Sequence, residues 1–158
     1  MWWGTKGEKV WSNNQLDLFS MHTINNQGLL LFGELENDVI PEIMNDEIIR
    51  FLMDFSLCMK KYGKGGNLHS IDWILLTAKF IGWLKEGKIF SKSQAADWGL
   101  QNLKSNWKQH LQKAKELRKD PSKVKSSEYI EWINNLDTVI IEASKDLDMD
   151  LNEGVSML

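Results

Sequence analysis

Residues Gly87–Leu100, GKIFSKSQAADWGL, contain the end of one helix, a short connection and the start of the next helix. Gly87 suits the left-handed position that often follows the last turn of a helix. Ser91 and Gln94 have the spacing of a capping box, which predicts a new helix that begins at Lys92. Free backbone amides at a helix start favour an anion. The spacing alone favours a solvated lysine at this position, and a phosphate contact is the alternative.

Apolar residues at steps of three and four predict further helices on both sides of this stretch. We predict an all-α fold, a helical bundle of five or six helices, with antiparallel neighbours where the connections are short. The apolar run at residues 29–32 predicts a short extended segment. The predicted helices cover residues 15–27, 47–62, 70–86, 92–103, 106–119 and 120–147.

The sequence divides into three predicted segments. Residues 1–14 have no periodic pattern and are expected to be irregular, residues 15–147 to form the helical domain, and residues 148–158 to form a flexible tail. Trp2, Trp3 and Trp11 lie in the first segment. Because such rings are usually covered, we expect that something once preceded this segment and covered them.

Composition and charge narrow the class of protein. The 158 residues, 42% of them hydrophobic, suit one globular domain, and the net charge of −3 argues against nucleic acid as a partner. No apolar run is long enough to span a membrane, so we expect no membrane partner. The single cysteine, Cys58, is expected to be buried and excludes an internal disulfide. We therefore predict a reducing, cytoplasmic location.

The residues alone indicate no complete catalytic site. The stretch GKGG at residues 63–66 lacks the strand and the Lys-Ser/Thr pair of a P-loop, and is predicted to be a flexible linker. Neither a hydrolytic triad nor a metal-ligand cluster is evident, so we predict no catalytic residues and no metal ligands. The residues by themselves indicate a helical bundle with one candidate anion site.

The run from Ile74 to Leu103 resembles the C-terminal helical domain of the aminoglycoside nucleotidyltransferases, the streptomycin/spectinomycin adenylyltransferase family. Residues 17–41, DLFSMHTINNQGLLLFGELENDVIP, are similar to the segment that joins the catalytic domain of this family to its helical domain. The resemblance covers roughly residues 15–147. The most specific motif of the family is Ser/Pro-Lys-x-x-Ala/Gly-x-x-Trp-Ala/Gly-Leu, which here stands as Ser91, Lys92, Ala95, Trp98, Gly99 and Leu100.

The resemblance implies nucleotide contacts for three residues. Lys92 falls on the phosphate-contacting lysine of the family. Lys79 falls where the family has a nucleotide-contacting arginine, so the charge is kept but the bidentate geometry is lost. By its pattern alone Lys79 could instead extend along apolar surface. Arg118 stands where a tyrosine near the nucleotide is common, although a cation in a last helical turn also has a purely structural explanation.

The resemblance also implies contacts on the drug side. Asp17 matches an aspartate that faces the active site after the catalytic core, although a carboxylate at a helix start needs no such role. Asp72 and His69 lie in the segment whose polar residues contact the drug. The family's acidic residues in that segment are not reproduced in order here.

Enzymes of this family transfer AMP from ATP to a drug hydroxyl, with Mg²⁺ held by a Gly-Ser motif and an Asp-x-Asp pair in an N-terminal catalytic domain. This chain contains no Gly-Ser motif followed by an Asp-x-Asp pair, so we expect it to be inactive alone and to need a separate nucleotidyltransferase domain or chain. The expected ligands are ATP and an aminoglycoside such as streptomycin or spectinomycin. The alternative is a free-standing helical interaction module that binds neither nucleotide nor drug.

Overall fold

The computed structural model describes residues 2–3, 9–10, 17–28 and 43–155. The all-α prediction is confirmed, and these residues form seven α-helices, one more than the upper predicted number. The chain forms two compact units, Met1–Ile48 and Ile49–Leu158. Short 3₁₀-helices cover Asn106–Lys108 and Pro121–Lys125. The α-helices are α1 Leu18–Gln27, α2 Asn45–Tyr62, α3 Ser70–Glu86, α4 Lys92–Asn102, α5 Gln109–Lys119, α6 Ser127–Asn134 and α7 Leu136–Val155.

The first unit contains a small antiparallel ladder and α1. Strands β1, Trp2–Trp3, and β2, Lys9–Val10, pair with each other, so part of the segment predicted to be irregular is extended and hydrogen-bonded. Asp17 is the N-cap of α1. The extended segment predicted at residues 29–32 lies outside the described residues. The predicted domain boundaries stay a prediction.

Helix α3 is the centre of the second unit. Ten of its seventeen residues are buried, because apolar side chains occupy almost its whole circumference. Ile74, Leu75, Ala78 and Ile81 are fully buried. Helices α4, α5 and α7 pack against α3. The core of the unit therefore surrounds the helix that directly precedes the Gly87–Leu100 stretch.

Helix α2 from Ile49 onward contacts α3 and α7. The Thr77 hydroxyl of α3 donates to the Met59 sulfur at 3.2 Å, and the Ser56 hydroxyl donates to Asp148 of α7 at 2.5 Å. Cys58 is exposed, so its predicted burial is wrong. The helical period explains the error, since Ser56 and Met59 face inward and the residues between them turn towards solvent.

The last predicted helix is divided into three elements. Asp120 and Pro121 start only a 3₁₀-helix, and the Ser126 hydroxyl then caps α6 by accepting from the Tyr129 amide at 3.4 Å. Asn135 leaves helical geometry and separates α6 from α7. Helix α7 continues to Val155, beyond the predicted end near residue 147 and into the segment predicted to be a flexible tail. Leu151 in this extension is buried.

The connection between α2 and α3 is held by hydrogen bonds, in contrast to the predicted flexible linker. The Gly65 amide donates to the Asp137 carboxylate, and the Gly66 amide donates to the Ile133 carbonyl at 3.0 Å. Gly66 has a φ of +93°, a conformation that favours glycine. Gly65 and Gly66 therefore have a structural role in the backbone of this connection.

A polar cluster around Glu116 joins α5 to α6. The Tyr129 hydroxyl donates to the Glu116 carboxylate at 2.7 Å, and the Gln112 amide donates to it at 2.8 Å. Lys123 lies 3.4 Å from the same carboxylate. The hydrogen bonds from Gln112 and Tyr129, and more weakly the charge of Lys123, lower the pKa of Glu116 to about 2.

This cluster predicts acid sensitivity of the fold. Because the folded-state pKa of Glu116 lies below its ordinary value of 4.5, its contribution to stability is present above that value and is lost as the pH falls towards 2. We expect the drop in melting temperature between about pH 5 and pH 2.5 to be smaller in Glu116→Gln than in the original chain. Glu131→Gln is the matched control, because this exposed carboxylate makes no hydrogen bond to another described residue. Equal drops in all three proteins would contradict the prediction.

Candidate functional site

The start of α4 has the predicted local geometry. Gly87 adopts the left-handed conformation with φ of +64°, and its amide donates to the Trp83 carbonyl at 2.8 Å. The Ser91 hydroxyl accepts from the Gln94 amide at 3.2 Å, and the Ser91 amide donates to the Gln94 side chain at 2.9 Å. The capping box is therefore confirmed. It leaves the amides of the first helical residues directed outward from the helix start.

Close packing behind this start holds α4 against α3. A Cβ atom on Gly82 would lie 2.9 Å from the Phe90 ring and 3.3 Å from Trp98, so the absence of a side chain lets both rings approach the helix. Trp98 is buried, and its indole N–H donates to the Glu86 carboxylate at 2.8 Å. This bond lowers the pKa of Glu86.

Glu86 was not among the site residues predicted from the sequence. A carboxylate in the last turn of a helix is disfavoured by the helix dipole, and Glu86 occupies such a position. This unfavourable position was the feature of the sequence that could have indicated a specific hydrogen-bond partner for Glu86. The structure identifies the partner as Trp98, and the bond positions the α4 helix that carries Lys92.

Lys92 forms an ion pair with Asp72 of α3. The ammonium nitrogen donates to the Asp72 carboxylate at 2.5 Å, with side-chain exposures of 26% and 35%. The His69 imidazole lies 3.9 Å from the other Asp72 oxygen and is 90% exposed. Three of the six predicted site residues, from both the nucleotide and the drug groups, therefore lie together. We call Lys92, Asp72 and His69 the α4-start cluster.

The other predicted nucleotide residues lie outside this cluster. Lys79 is half-buried on α3, seven residues after Asp72, which places it on the same helix face about 10 Å further along the axis. Arg118 is exposed in the last turn of α5. Its guanidinium makes no hydrogen bond or ion pair with another described side chain. A nucleotide role for these two residues stays a prediction.

Asp17 belongs to the first unit. Its carboxylate accepts from the Ser20 amide at 2.8 Å and from the Ser20 hydroxyl at 2.7 Å. These bonds satisfy the start of α1, as a helix-start carboxylate commonly does. Its predicted position facing an active site stays a prediction.

The α4-start cluster has the chemistry of a binding site. An ammonium group beside free amides can hold phosphate oxygens, and a carboxylate beside an imidazole can hold a cation. Within residues 17–28 and 43–155, no group of three or more His, Cys, Asp and Glu side chains is arranged to hold a metal ion. The cluster therefore offers positioning and charge.

Residues 38–142 match the sequence model of a protein family described as the aminoglycoside adenylyltransferase C-terminal domain. The chain belongs to this family. The match covers more than half of the chain and contains the whole α4-start cluster, and it confirms the family resemblance inferred from the Ser91–Leu100 motif. No curated protein and no solved structure was found to match this adenylyltransferase C-terminal domain.

Membership in the family connects this helical unit with aminoglycoside adenylyl transfer. Among the helices of the part that the structure describes, none combines the length and apolar composition needed to cross a membrane.

Proposed function

We propose that this domain binds the phosphates of ATP at the start of α4 and forms part of the aminoglycoside pocket of an adenylyltransferase. The reaction would transfer AMP from ATP to a hydroxyl of a drug such as streptomycin or spectinomycin. A separate nucleotidyltransferase domain or chain would supply the catalytic base. The lone cysteine supports a cytoplasmic location for this activity.

The contact between Lys92 and Asp72 carries this proposal. It joins a residue implied to bind nucleotide to a residue implied to bind drug, within hydrogen-bond distance. Transfer of a nucleotidyl group requires the α-phosphate and the attacking hydroxyl to be held close together. A contact between a nucleotide-side residue and a drug-side residue would bring the α-phosphate and the hydroxyl close together.

The ammonium of Lys92 and the adjacent amides suit a polyphosphate, since both are donors at the positive end of a helix. Asp72 and His69 suit the drug side, because aminoglycosides carry amines that a carboxylate can hold. Lys79 and Arg118 would extend the nucleotide site. Among the described residues no three His, Cys, Asp or Glu side chains are grouped to hold a metal ion, and in this proposal the Mg²⁺ ligands come from the catalytic domain.

The proposal is tested by isothermal titration calorimetry with Mg-ATP and with streptomycin or spectinomycin. The chain is measured alone and mixed with a candidate catalytic chain. We expect Lys92→Ala to weaken ATP binding about tenfold or more, because a charge-assisted hydrogen bond contributes roughly 1.5–3 kcal/mol. Lys145→Ala is the matched control, since this lysine is exposed on α7 and makes no hydrogen bond or ion pair with another described side chain. Absence of binding in both settings would reject the proposal.

Exposed apolar residues favour a second candidate function, a helical interaction module without nucleotide. Met53, Leu57 and Tyr62 on α2 are 42%, 60% and 58% exposed. Such a module would retain one defined protein in a pull-down, and ATP would not raise its melting temperature. A rise in melting temperature with ATP that Lys92→Ala abolishes would exclude this candidate.

A further inference from the structure

Asp72 binds the Lys92 ammonium group, which in the proposed function binds phosphate. The Lys92 ammonium donates to an Asp72 oxygen, so this oxygen takes a position beside the ammonium that a phosphate oxygen would otherwise take. Both side chains are about two-thirds or more buried. Their mutual attraction is therefore screened less than that of a fully exposed pair.

The carboxylate has a second source of stabilisation on its own helix. Asp72 lies in the first turn of α3, where the helix dipole and the free amides favour a negative charge. His69 adds a polar group 3.9 Å from the other carboxylate oxygen. The negative charge of Asp72 is therefore stabilised by groups other than Lys92. When the ammonium moves away, the carboxylate still has favourable interactions.

A phosphate at the start of α4 would lie next to this carboxylate, and like charges at such a distance repel. The Lys92 ammonium has three N–H donors and can donate to both anions, but the repulsion between them makes this arrangement less favourable than a bond to one of them. Binding of a phosphate therefore has to displace or weaken the bond to Asp72.

We infer that Asp72 is an internal competitor for the Lys92 ammonium and thereby lowers the affinity of the α4 start for polyphosphate. The inference rests on the proposed function, because it assumes that phosphate binds at Lys92. It adds that the chain itself provides the competing anion. Relief of this competition would come from any ligand cation that takes over the Asp72 carboxylate.

The test measures the affinity of ATP and of inorganic tripolyphosphate, each at low salt, by isothermal titration calorimetry. The proteins are the original chain, Asp72→Asn, Lys92→Met and the double variant. We expect Asp72→Asn to bind about two- to fivefold more tightly, the range for a partly exposed ion pair. This gain should disappear in the Lys92→Met background. Asp97→Asn is the matched control, since Asp97 is a carboxylate of α4 that pairs with Lys115 and should leave the affinity unchanged.

Three other results of the affinity measurements would overturn the inference. Weaker binding by Asp72→Asn would mean that Asp72 positions Lys92 for phosphate, which overturns the inference and keeps the proposed function. An equal gain with and without Lys92 would reveal general charge repulsion and would also overturn it. If neither anion binds the original chain or Asp72→Asn, whether the protein is alone or mixed with the candidate catalytic chain, the proposed function fails and the inference with it. Circular dichroism melting of every variant shows that the affinities refer to folded protein.

Discussion

Replacement of Trp107 by alanine is expected to destabilise the folded unit by about 3–5 kcal/mol. Trp107 lies in the 3₁₀-helix between α4 and α5 and is 1% exposed, and its indole N–H donates to Asp146 of α7 at 2.7 Å. The substitution removes the largest fully buried side chain and leaves a cavity where these elements meet. It also removes the hydrogen-bond donor to Asp146.

The destabilisation is measured as the free energy of unfolding in urea, with far-ultraviolet circular dichroism as the signal. Trp107→Phe is the matched control, because it retains an aromatic ring and lacks the N–H group. We expect this control to lose about 1–3 kcal/mol, since the Asp146 carboxylate loses its partner and part of the volume is lost. A loss below about 1 kcal/mol in Trp107→Ala would show that Trp107 does not hold the unit together.

Replacement of Leu111 by alanine is expected to cost about 2–5 kcal/mol, because this α5 side chain is fully buried. Leu111 also restricts Gly99 of α4. A Cβ atom on Gly99 would lie 2.6 Å from a Leu111 methyl group, 3.2 Å from a Leu103 methyl group and 3.5 Å from the Ala78 Cβ atom of α3. The Leu111 methyl cannot move towards solvent, so Gly99→Ala alone should destabilise the unit. The free-energy cost of overpacking, roughly 1–3 kcal/mol, should exceed the gain of about 1 kcal/mol from the higher helix propensity of alanine.

A double-mutant cycle separates these two effects. In the Leu111→Ala background the closest clash is absent, and Gly99→Ala should become neutral or stabilising, with a coupling energy of about 0.5–3 kcal/mol. All four proteins are compared by urea unfolding. Additive effects would mean that α4 and α5 do not approach each other as closely at Gly99 as the structure has it.

Local features of the fold could be predicted from the sequence. The capping box of Ser91 and Gln94, the left-handed Gly87 and the start of α3 at Ser70 were all predicted correctly. Each depends on residues within one or two helical turns, so the information lies in neighbouring positions. The family resemblance was also carried by a contiguous motif, and the match over residues 38–142 confirms it.

Other features depend on packing between distant segments. The division of the last predicted helix at Asn135 has no proline or glycine as a signal, and its apolar period continues across the break. The extension of α7 to Val155 buries Leu151, whereas the acidic composition of the segment had suggested a frayed end. Cys58 was predicted to be buried from its apolar neighbours, but the helical period turned it outward.

By itself, the sequence determined that Lys92 is the first residue of a helix with free amides, because caps act over a few residues. Only the tertiary structure decided which group the lysine meets. A short connection suggested antiparallel neighbours, which would place Lys92 beside the end of α3. The structure instead brings the Lys92 ammonium to Asp72, about 20 Å along α3 from Glu86. The pairing of a nucleotide candidate with a drug candidate therefore follows from the path of the chain through space.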